Sequence, residues 1–378
     1  MPEKAFSVCI KDSVFIDPAC GTGGMLSVAE DYLKKLNSSA TLLPFGQELN
    51  DETFAVCKAD MLIKGNDADK IRCGNTLSED QFKGAQFDYI LSNPPFGREW
   101  KNDKAAVEAE SKLGAAGRFG FGLPAVGDGQ MLFLLTALAK MKEPRQGGTR
   151  IAIIHNGSPL FAGDAGSGPS EIRRHILEND LLDAIIALPN DIFYNTGIAT
   201  YIWVLSNKKE KRRQGKVQLI NASEMYEKRR KSLGNKRNDI PRHFIDRITR
   251  IYADFEETEE SRIFDNEGFG YNKITVERPQ KDEKGNIVRK AGRPLADADL
   301  RDTENIPLKE DIQEYFKREV LPYSPDAWID AKKTKTGYEI PFTRYFYKYV
   351  PPRPSSEIKQ EIQQLEKDLQ GAMSDVFN

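Results

Sequence analysis

The chain has 378 residues, of which 39% are hydrophobic and 30% charged, and its net charge is −2. This composition is ordinary for a soluble globular protein, and the length allows one large domain and a smaller one. There is no signal-peptide pattern and no apolar run of about 18 residues, so we expect a cytoplasmic protein without a membrane partner. The four cysteines form no CxxC pair and there are only three histidines, which argues against a disulfide framework and against a metal site.

Short apolar segments rich in β-formers recur between helix-like stretches in residues 1–225. The predicted strands are 13–17, 43–49, 70–75, 87–93, 150–156, 181–189, 199–207 and 216–223. The predicted helices are 24–36, 51–64, 129–142 and 169–180, the third being apolar nearly all round and therefore buried. Near-continuous apolar strands alternating with helices indicate an α/β fold with a mostly parallel sheet of seven or eight strands, covered on both faces.

Two stretches interrupt or follow this pattern. Residues 97–128 are rich in glycine, alanine and charge, which predicts a long mobile loop. Residues 226–354 are expected to form a charged, helical C-terminal region, with helix over 226–260 and an exposed polar connection over 277–305.

Residues 355–378 are mostly helix formers and are expected to be a separate C-terminal helix. Its apolar residues recur at spacings of 4, 3 and 4, at Ile358, Ile362, Leu365 and Leu369. This is a heptad seam, and fewer than three heptads are marginal alone. We therefore expect the seam to pack on another helix, in this chain or in a partner.

Charge is concentrated in residues 206–250, where 15 Lys or Arg stand against 5 Asp or Glu. Such blocks often meet nucleic acid, and a solvated basic helix is the alternative. We expect residues 208–237 to contact phosphates, which would set affinity without reading sequence.

The segment FIDPACGTGG (15–24) places an acidic residue, Asp17, at the end of a strand, before a glycine-rich turn and a helix. Gly21, Gly23 and Gly24 let the backbone turn tightly and approach a ligand, and the helix N-terminus offers free amides. GTGGML lacks the third glycine of the dinucleotide fingerprint, which argues against an NAD-linked oxidoreductase. The pattern suits a ligand without a pyrophosphate, such as S-adenosylmethionine, and a plain tight turn is the alternative.

Polar side chains also end the next two strands. Glu48, 31 residues after Asp17, can accept hydrogen bonds from both hydroxyls of a ribose, and a solvated surface glutamate is the alternative. Asn75, at the tip of the third strand, is a candidate contact for the adenine of the cofactor, although asparagine is also a common turn residue.

The fourth strand ends in Asn93-Pro94-Pro95-Phe96. Methylation of an exocyclic amine on a base requires acceptors that turn the nitrogen lone pair out of conjugation. The Asn93 side-chain carbonyl and the Pro94 backbone carbonyl can be those acceptors, and the paired prolines stiffen the segment. Phe96 can stack on a base flipped out of the duplex.

DPACGTGG (17–24) followed about 70 residues later by NPPF (93–96) resembles the amino-group DNA methyltransferases in which the cofactor motif comes first. The segments RIAIIHNGSPLF (150–161), LPNDIFYNTGIATYIWVLSNKK (188–209) and YEIPFTRYFYKYVPP (338–352) extend the resemblance to the methyltransferase (modification) subunits of type I restriction–modification systems. The resemblance spans about residues 13–370. It implies a Rossmann-like methyltransferase fold and methylation of adenine N6 in double-stranded DNA.

The resemblance also implies roles for individual residues. The cofactor site would comprise Asp17, Pro18, Ala19, Gly21, Thr22, Gly23, Glu48, Asn75 and Asn93. The target adenine would be held by Asn93, Pro94, Pro95 and Phe96, and Phe193 or Tyr194 corresponds to a late aromatic position of the family.

The implied partners are double-stranded DNA, a specificity subunit, a restriction (motor nuclease) subunit and a second modification subunit. In this family a helical domain and a Phe/Tyr-Thr-Pro segment precede the glycine motif, whereas about a dozen residues precede it here, so we expect that domain to be missing. Two other functions stay open: a catalytically silent assembly module, and methylation of another amino group, on protein glutamine or cytosine N4.

Overall fold

A computed structural model describes residues 13–349 and 351–377 of the chain. It divides into two compact units, with the boundary along the chain between residues 342 and 343. The first unit contains the sheets, and the second contains the C-terminal helix. The predicted boundaries at residues 225 and 354 stay predictions.

The elements are given in chain order. The helices are α1 (Gly24–Leu36), α2 (Asp51–Ile63), α3 (Lys104–Ser111), α4 (Gln130–Ala139), α5 (Ser158–Phe161), α6 (Gly168–Glu178), α7 (Arg242–Asp254), α8 (Ile312–Tyr315), α9 (Phe342–Phe346) and α10 (Ser355–Phe377). The strands are β1 (Ser13–Asp17), β2 (Leu42–Glu48), β3 (Ile71–Cys73), β4 (Tyr89–Ser92), β5 (Arg150–Asn156), β6 (Leu182–Ala187), β7 (Thr200–Ser206), β8 (Lys216–Asn221), β9 (Glu227–Leu233), β10 (Lys236–Asp239), β11 (Ser261–Asp265), β12 (Gly270–Glu277), β13 (Arg289–Lys290), β14 (Arg293–Pro294), β15 (Asp302–Pro307), β16 (Trp328–Ile329) and β17 (Lys335–Tyr338).

The largest sheet in the described part of the chain has nine strands, in the order β11-β8-β6-β7-β5-β4-β1-β2-β3. Strands β1 to β6 and β8 run in one direction, and β7 and β11 run against their neighbours. This confirms the predicted α/β fold with a mostly parallel sheet. The sheet has one strand more than expected because β11, from the charged region after residue 225, pairs with the edge strand β8.

The predicted strands and helices of residues 13–223 are all present, with ends shifted by a few residues. Their apolar side chains make the core: Ile16, Ile90 and Ile151 are fully buried on adjacent strands. Helix α4 is buried along most of its length, as its uniformly apolar sequence predicted.

The prediction of a mobile loop over 97–128 is wrong, because this segment folds. It contains α3, and it buries the side chains of Trp100, Val107 and Phe119. The guanidinium of Arg118 donates hydrogen bonds to the carbonyl oxygens of Thr76 (2.7 Å) and Leu77 (3.0 Å), and so ties the segment to the loop after β3. A few apolar residues among many glycines and charges were enough to anchor the segment.

The prediction of helix over 226–260 is also wrong for its first half. Residues 227–239 form an antiparallel hairpin of β9 and β10, and helix begins only at Arg242. Gly234 has φ 61° at the turn, a left-handed conformation that breaks a helix and suits a tight hairpin turn. After α7 the region is mainly β, with β15, β16 and β17 paired to β12, while residues 278–301 carry only the two short strands β13 and β14.

Candidate functional site

Strands β1 to β4 are parallel neighbours, so their carboxyl ends lie at the same edge of the sheet. In the register, Asp17 on β1 lies beside Gly46 on β2, and Ile16 lies beside Ile90 on β4. The polar residues predicted to form one site therefore follow adjacent strand ends. Ligands of open α/β sheets bind at this edge.

The glycine-rich turn after β1 adopts the conformation that its sequence predicted. Gly21 (φ 55°) and Gly23 (φ 80°) are both left-handed. A methyl group added at Gly21 would meet no atom within 4 Å, whereas one at Gly23 would lie 2.7 Å from the sulfur of Cys57. Gly23 is thus needed for packing against α2, and Gly21 borders open space that a ligand can occupy.

Glu48 contacts this turn directly. One carboxylate oxygen, Oε2, accepts the backbone N–H of Gly21 at 2.9 Å, and the other, Oε1, accepts that of Asn50 at 2.9 Å. The side chain is only half-buried. A carboxylate has about four acceptor positions, so Glu48 keeps acceptor capacity toward solvent.

Asp17 is almost completely buried, with 2% of its surface exposed. Its Oδ1 accepts hydrogen bonds from the backbone N–H of Ala19 (3.0 Å) and from the hydroxyl of Ser92 (2.9 Å). Burial raises the pKa of Asp17 to about 7, against the lowering effect of those two hydrogen bonds. Ser92 is the last residue of β4 and directly precedes Asn93, so this bond joins the two motifs.

The other residues of the turn differ in what they can offer a ligand. Pro18 is buried and its carbonyl accepts the hydroxyl of Thr76, so it holds the backbone together. Ala19 is half-buried, and Thr22 is exposed.

Asn75 uses its side chain for internal contacts. Its Oδ1 accepts the backbone N–H of Leu77 at 3.0 Å, and its Nδ2 donates to the carboxylate of Asp103 at 2.7 Å. Asp103 also accepts the hydroxyl of Ser78 at 3.1 Å and is 7% exposed. Sequence reasoning missed Asp103 because it lies in the segment taken for a mobile loop. The one sequence signal that could have pointed to Asp103 is its position seven residues after Phe96.

The NPPF segment places its residues in different environments. Asn93 and Pro95 are exposed, Pro94 is buried and Phe96 is half-buried. The ring of Phe96 meets that of Phe193 edge to face, with centroids 6.1 Å apart and an interplanar angle of 73°. Of the two late aromatic candidates, the structure thus brings Phe193 to Phe96. Tyr194 is 60% exposed, and the amine of Lys236 lies 5.3 Å from its ring centroid.

Comparison with known proteins adds three findings. The sequence model of the N-6 DNA methylase family matches residues 8–275. The type I restriction enzyme MjaIX methylase subunit of Methanocaldococcus jannaschii is 28% identical over 262 residues, covering 69% of this chain and 44% of the relative. The type I restriction enzyme HindI methylase subunit of Haemophilus influenzae is 24% identical over 331 residues, covering 85% of this chain and 68% of the relative.

Among solved structures, the methyltransferase subunit of a type I restriction-modification system from Streptococcus thermophilus matches with a TM-score of 0.58 at 26% identity, covering 71% of this chain and 54% of the other. A chain from a study of complex assembly in the type I restriction-modification system matches with a TM-score of 0.52 at 18% identity, covering 97% of this chain and 61% of the other. This second match shows the fold alone.

The chain spans 44% of the length of MjaIX and 43% of the related MjaVII methylase subunit, also from Methanocaldococcus jannaschii. Within residues 13–349 and 351–377, no helix has both the length and the apolar character that crossing a bilayer requires.

Proposed function

The chain belongs to the N-6 DNA methylase family, and on that premise we propose that it transfers a methyl group from S-adenosylmethionine to N6 of adenine in double-stranded DNA. The observation that carries this proposal is the hydrogen bond from Ser92 to Asp17 at 2.9 Å. It places the start of the NPPF segment directly beside the glycine-rich turn. A methyl donor held at the turn and an amine held at Asn93 would then be neighbours.

The residues at the turn fit S-adenosylmethionine. The open space at Gly21 admits a ligand close to the backbone. Glu48 accepts one backbone N–H from this turn and one from Asn50, so about two acceptor positions of its carboxylate remain for the two ribose hydroxyls. When bound, the cofactor supplies a methyl group on a positively charged sulfonium, which is already activated for transfer. The protein therefore needs no metal and no strong base, and catalysis is mainly positioning.

We assign the acceptor side to the NPPF segment. The exposed amide of Asn93 is free to accept an amine hydrogen through its carbonyl oxygen, and the Pro94 carbonyl is the second acceptor. Pro94 and Pro95 fix the backbone between them. Phe96 and Phe193 would stack on an extruded base, which recovers part of the energy lost on unstacking.

Asn75 and Asp103 define the third side of the proposed cofactor site. The hydrogen bond between them joins the tip of β3 to the segment after NPPF. We propose that this bond positions Asn75 beside the adenine of the cofactor, with Asp103 setting the orientation of its amide.

The partners in the proposed complex are a specificity subunit, a restriction subunit and a second modification subunit, acting on DNA in the cytoplasm. The curated relatives are methylase subunits of type I restriction enzymes. Helix α10 leaves its heptad seam exposed, with Ile362 52%, Leu365 63% and Leu369 64% exposed. We assign this seam to the specificity subunit, since an uncovered apolar stripe marks a helix-binding face.

The test is methyl transfer by the chain together with its specificity subunit. Labelled S-adenosylmethionine and DNA from a host without the system are the substrates, and the nucleosides are separated after digestion. We expect the label in N6-methyladenine, and we expect its loss with Asn93→Ala. Label on cytosine or on protein, or none with both subunits present, would contradict the proposed reaction.

A further inference from the structure

The basic stretch 208–237 consists of two structurally different parts. In the first, Lys209 and Arg213 are buried and their charges are neutralised by Asp180 at 2.6 Å and Asp183 at 2.7 Å. These two buried side chains hold the fold together and are not accessible to a phosphate, so the expectation of phosphate contact over residues 208–237 is wrong for Lys209 and Arg213. The second part is the hairpin of β9 and β10.

The hairpin is a basic ribbon without an apolar face. Residues 227–239 contain six Lys or Arg and two Asp or Glu. Successive side chains of a strand point to opposite faces, so the consecutive cations 228–231 put positive charge on both faces of β9. Within the described residues, four of the six cations are exposed and have no ion-pair partner: Lys228, Arg230, Lys231 and Arg237. These four charges are therefore available to bind an anion. Because an isolated two-stranded hairpin is only marginally stable, this one needs contacts with the rest of the protein.

The hairpin is attached to the loop that carries Phe193. The attachments are hydrogen bonds from the Asn235 N–H to the Tyr194 carbonyl (3.0 Å), from the Arg237 and Asn238 N–H groups to the Asp191 carbonyl (2.9 and 3.1 Å), and from the Asn238 side chain to the Asn190 carbonyl (2.9 Å). Asn238 is 7% exposed, so its side-chain amide is buried where it fastens the hairpin to the loop. A methyl group on Gly234 would lie 2.7 Å from the Tyr194 carbonyl, so the turn sits closely against the loop.

The same loop continues into the aromatic pair. Phe193 lies in the chain between Asp191 and Tyr194, two of the three residues whose carbonyls accept hydrogen bonds from the hairpin, and its ring contacts Phe96. Loop 190–194 therefore connects the hairpin, which carries the exposed cations, to the NPPF segment, which we assign to the target base.

We propose that the β9–β10 hairpin is a DNA-binding arm that holds the phosphates of the duplex beside the target base and keeps loop 190–194, with Phe193, against Phe96. Its charge matches the phosphate backbone, and a two-stranded ribbon is narrow enough for the major groove, which is about 12 Å wide. This inference rests on the proposed function and adds to it the surface that meets the DNA backbone.

The test compares two variants with the same change in charge. The hairpin variant carries Lys228→Gln, Arg230→Gln, Lys231→Gln and Arg237→Gln. The control carries Lys35→Gln, Arg72→Gln, Lys284→Gln and Lys290→Gln, all at exposed positions outside the hairpin. Binding to a fluorescent duplex is measured from about 50 to 200 mM salt. Each phosphate contact contributes about 0.9 to the log–log salt slope, so we expect the hairpin variant to lose about 3 to 4 units of slope and at least ~10-fold in affinity.

Hydrogen exchange of residues 189–198 tests the attachment to the loop. We expect the duplex to slow exchange there in the wild type and in the control, and not in the hairpin variant. Equal slopes and affinities for the two variants would overturn the inference, and so would a preference for single-stranded RNA over the duplex. Cofactor binding and methyl transfer separate failure of this inference from failure of the proposed function. If only the hairpin inference fails, the hairpin variant still binds S-adenosylmethionine and methylates adenine. If only the proposed function fails, the hairpin still binds DNA but no methyl group is transferred to adenine.

Discussion

The carboxylate of Glu48 accepts the backbone N–H of Gly21 at 2.9 Å, so the end of β2 and the turn after β1 are joined by a direct hydrogen bond. Glu48 thus has two roles in our proposal, because it shapes the turn and also accepts hydrogen bonds from the cofactor. The two roles respond differently to substitution. An amide keeps one acceptor oxygen and loses the negative charge.

Glu48→Gln should weaken binding of S-adenosylmethionine by roughly 10- to 100-fold and leave the fold intact. Hydrogen bonds to a charged group are worth about 1.5–3 kcal/mol, which sets this range. Titration calorimetry measures the affinity, and Glu52→Gln on the exposed start of α2 is the control. Unchanged affinity in the Glu48 variant would remove this residue from the site.

Asp17→Asn should stabilise the protein at neutral pH. The pKa of Asp17 is raised from 3.8 to about 7 by burial. The contribution of Asp17 to stability is greatest below about pH 4, where the group is protonated in both the folded and the unfolded chain. As pH rises toward 7 the unfolded chain ionises first, so this contribution to the free energy of unfolding falls. This difference in pKa corresponds to a cost of ionising Asp17 in the folded protein on the order of 4 kcal/mol, at about 1.4 kcal/mol per pH unit. Asparagine keeps the acceptor for Ala19 and Ser92 without the charge.

Urea unfolding between pH 4.5 and 8 measures this effect. We expect the difference in unfolding free energy between Asp17→Asn and the wild type to grow with pH and to level off above about pH 7. Asp31→Asn, at an exposed position of α1, should show no such growth. A difference that is constant across this range would show that Asp17 is ionised in the fold throughout.

Phe96→Ala should lower methyl transfer to DNA by roughly 10- to 100-fold, because stacking of a base on an aromatic ring is worth about 1–3 kcal/mol. Phe96→Tyr should retain most activity. Phe161→Ala, at a ring that is 59% exposed, is the control. Since the rings of Phe96 and Phe193 are in contact, their alanine variants should be non-additive. Strict additivity would indicate that the two rings act separately.

Arg118→Lys should loosen segment 97–128. Besides its two carbonyl contacts, the guanidinium donates to both carboxylate oxygens of Glu110, at 2.8 and 2.7 Å. Lysine cannot reproduce this fork, so we expect a loss of about 1.5–3 kcal/mol in stability and faster hydrogen exchange across the segment. Arg145→Lys, at a side chain that is 80% exposed, should change neither.

Leu365→Asp in α10 should abolish binding of the specificity subunit while leaving cofactor affinity unchanged, because a charge in the seam cannot be buried against another helix. Gel filtration of the mixed subunits measures assembly. Gln363→Asp, which adds the same charge at a neighbouring exposed position, should assemble normally. Equal loss in both variants would place the interface elsewhere.

Much of the first unit could be predicted because its signals are local. Apolar strands alternate with helices up to residue 223, and this alternation by itself predicted that Asp17, Glu48, Asn75 and Asn93 lie at or just after strand ends. The later region was harder. Lysine and arginine are good helix formers, and their run at 228–231 favoured a helix, whereas the turn at Gly234 and the contacts with loop 190–194 stabilise a hairpin.

The sequence by itself determined the parallel sheet, the left-handed glycine turn and the order of the two motifs, because these depend on side-chain periodicity and on backbone sterics within a few residues. Only the tertiary structure decided which distant groups meet: Ser92 with Asp17, Asn75 with Asp103, and Phe96 with Phe193. These contacts join residues that are up to 97 positions apart in the chain. The first arises from strand register, the second from the folding of segment 97–128 and the third from the position of loop 190–194, and no local pattern encodes any of them.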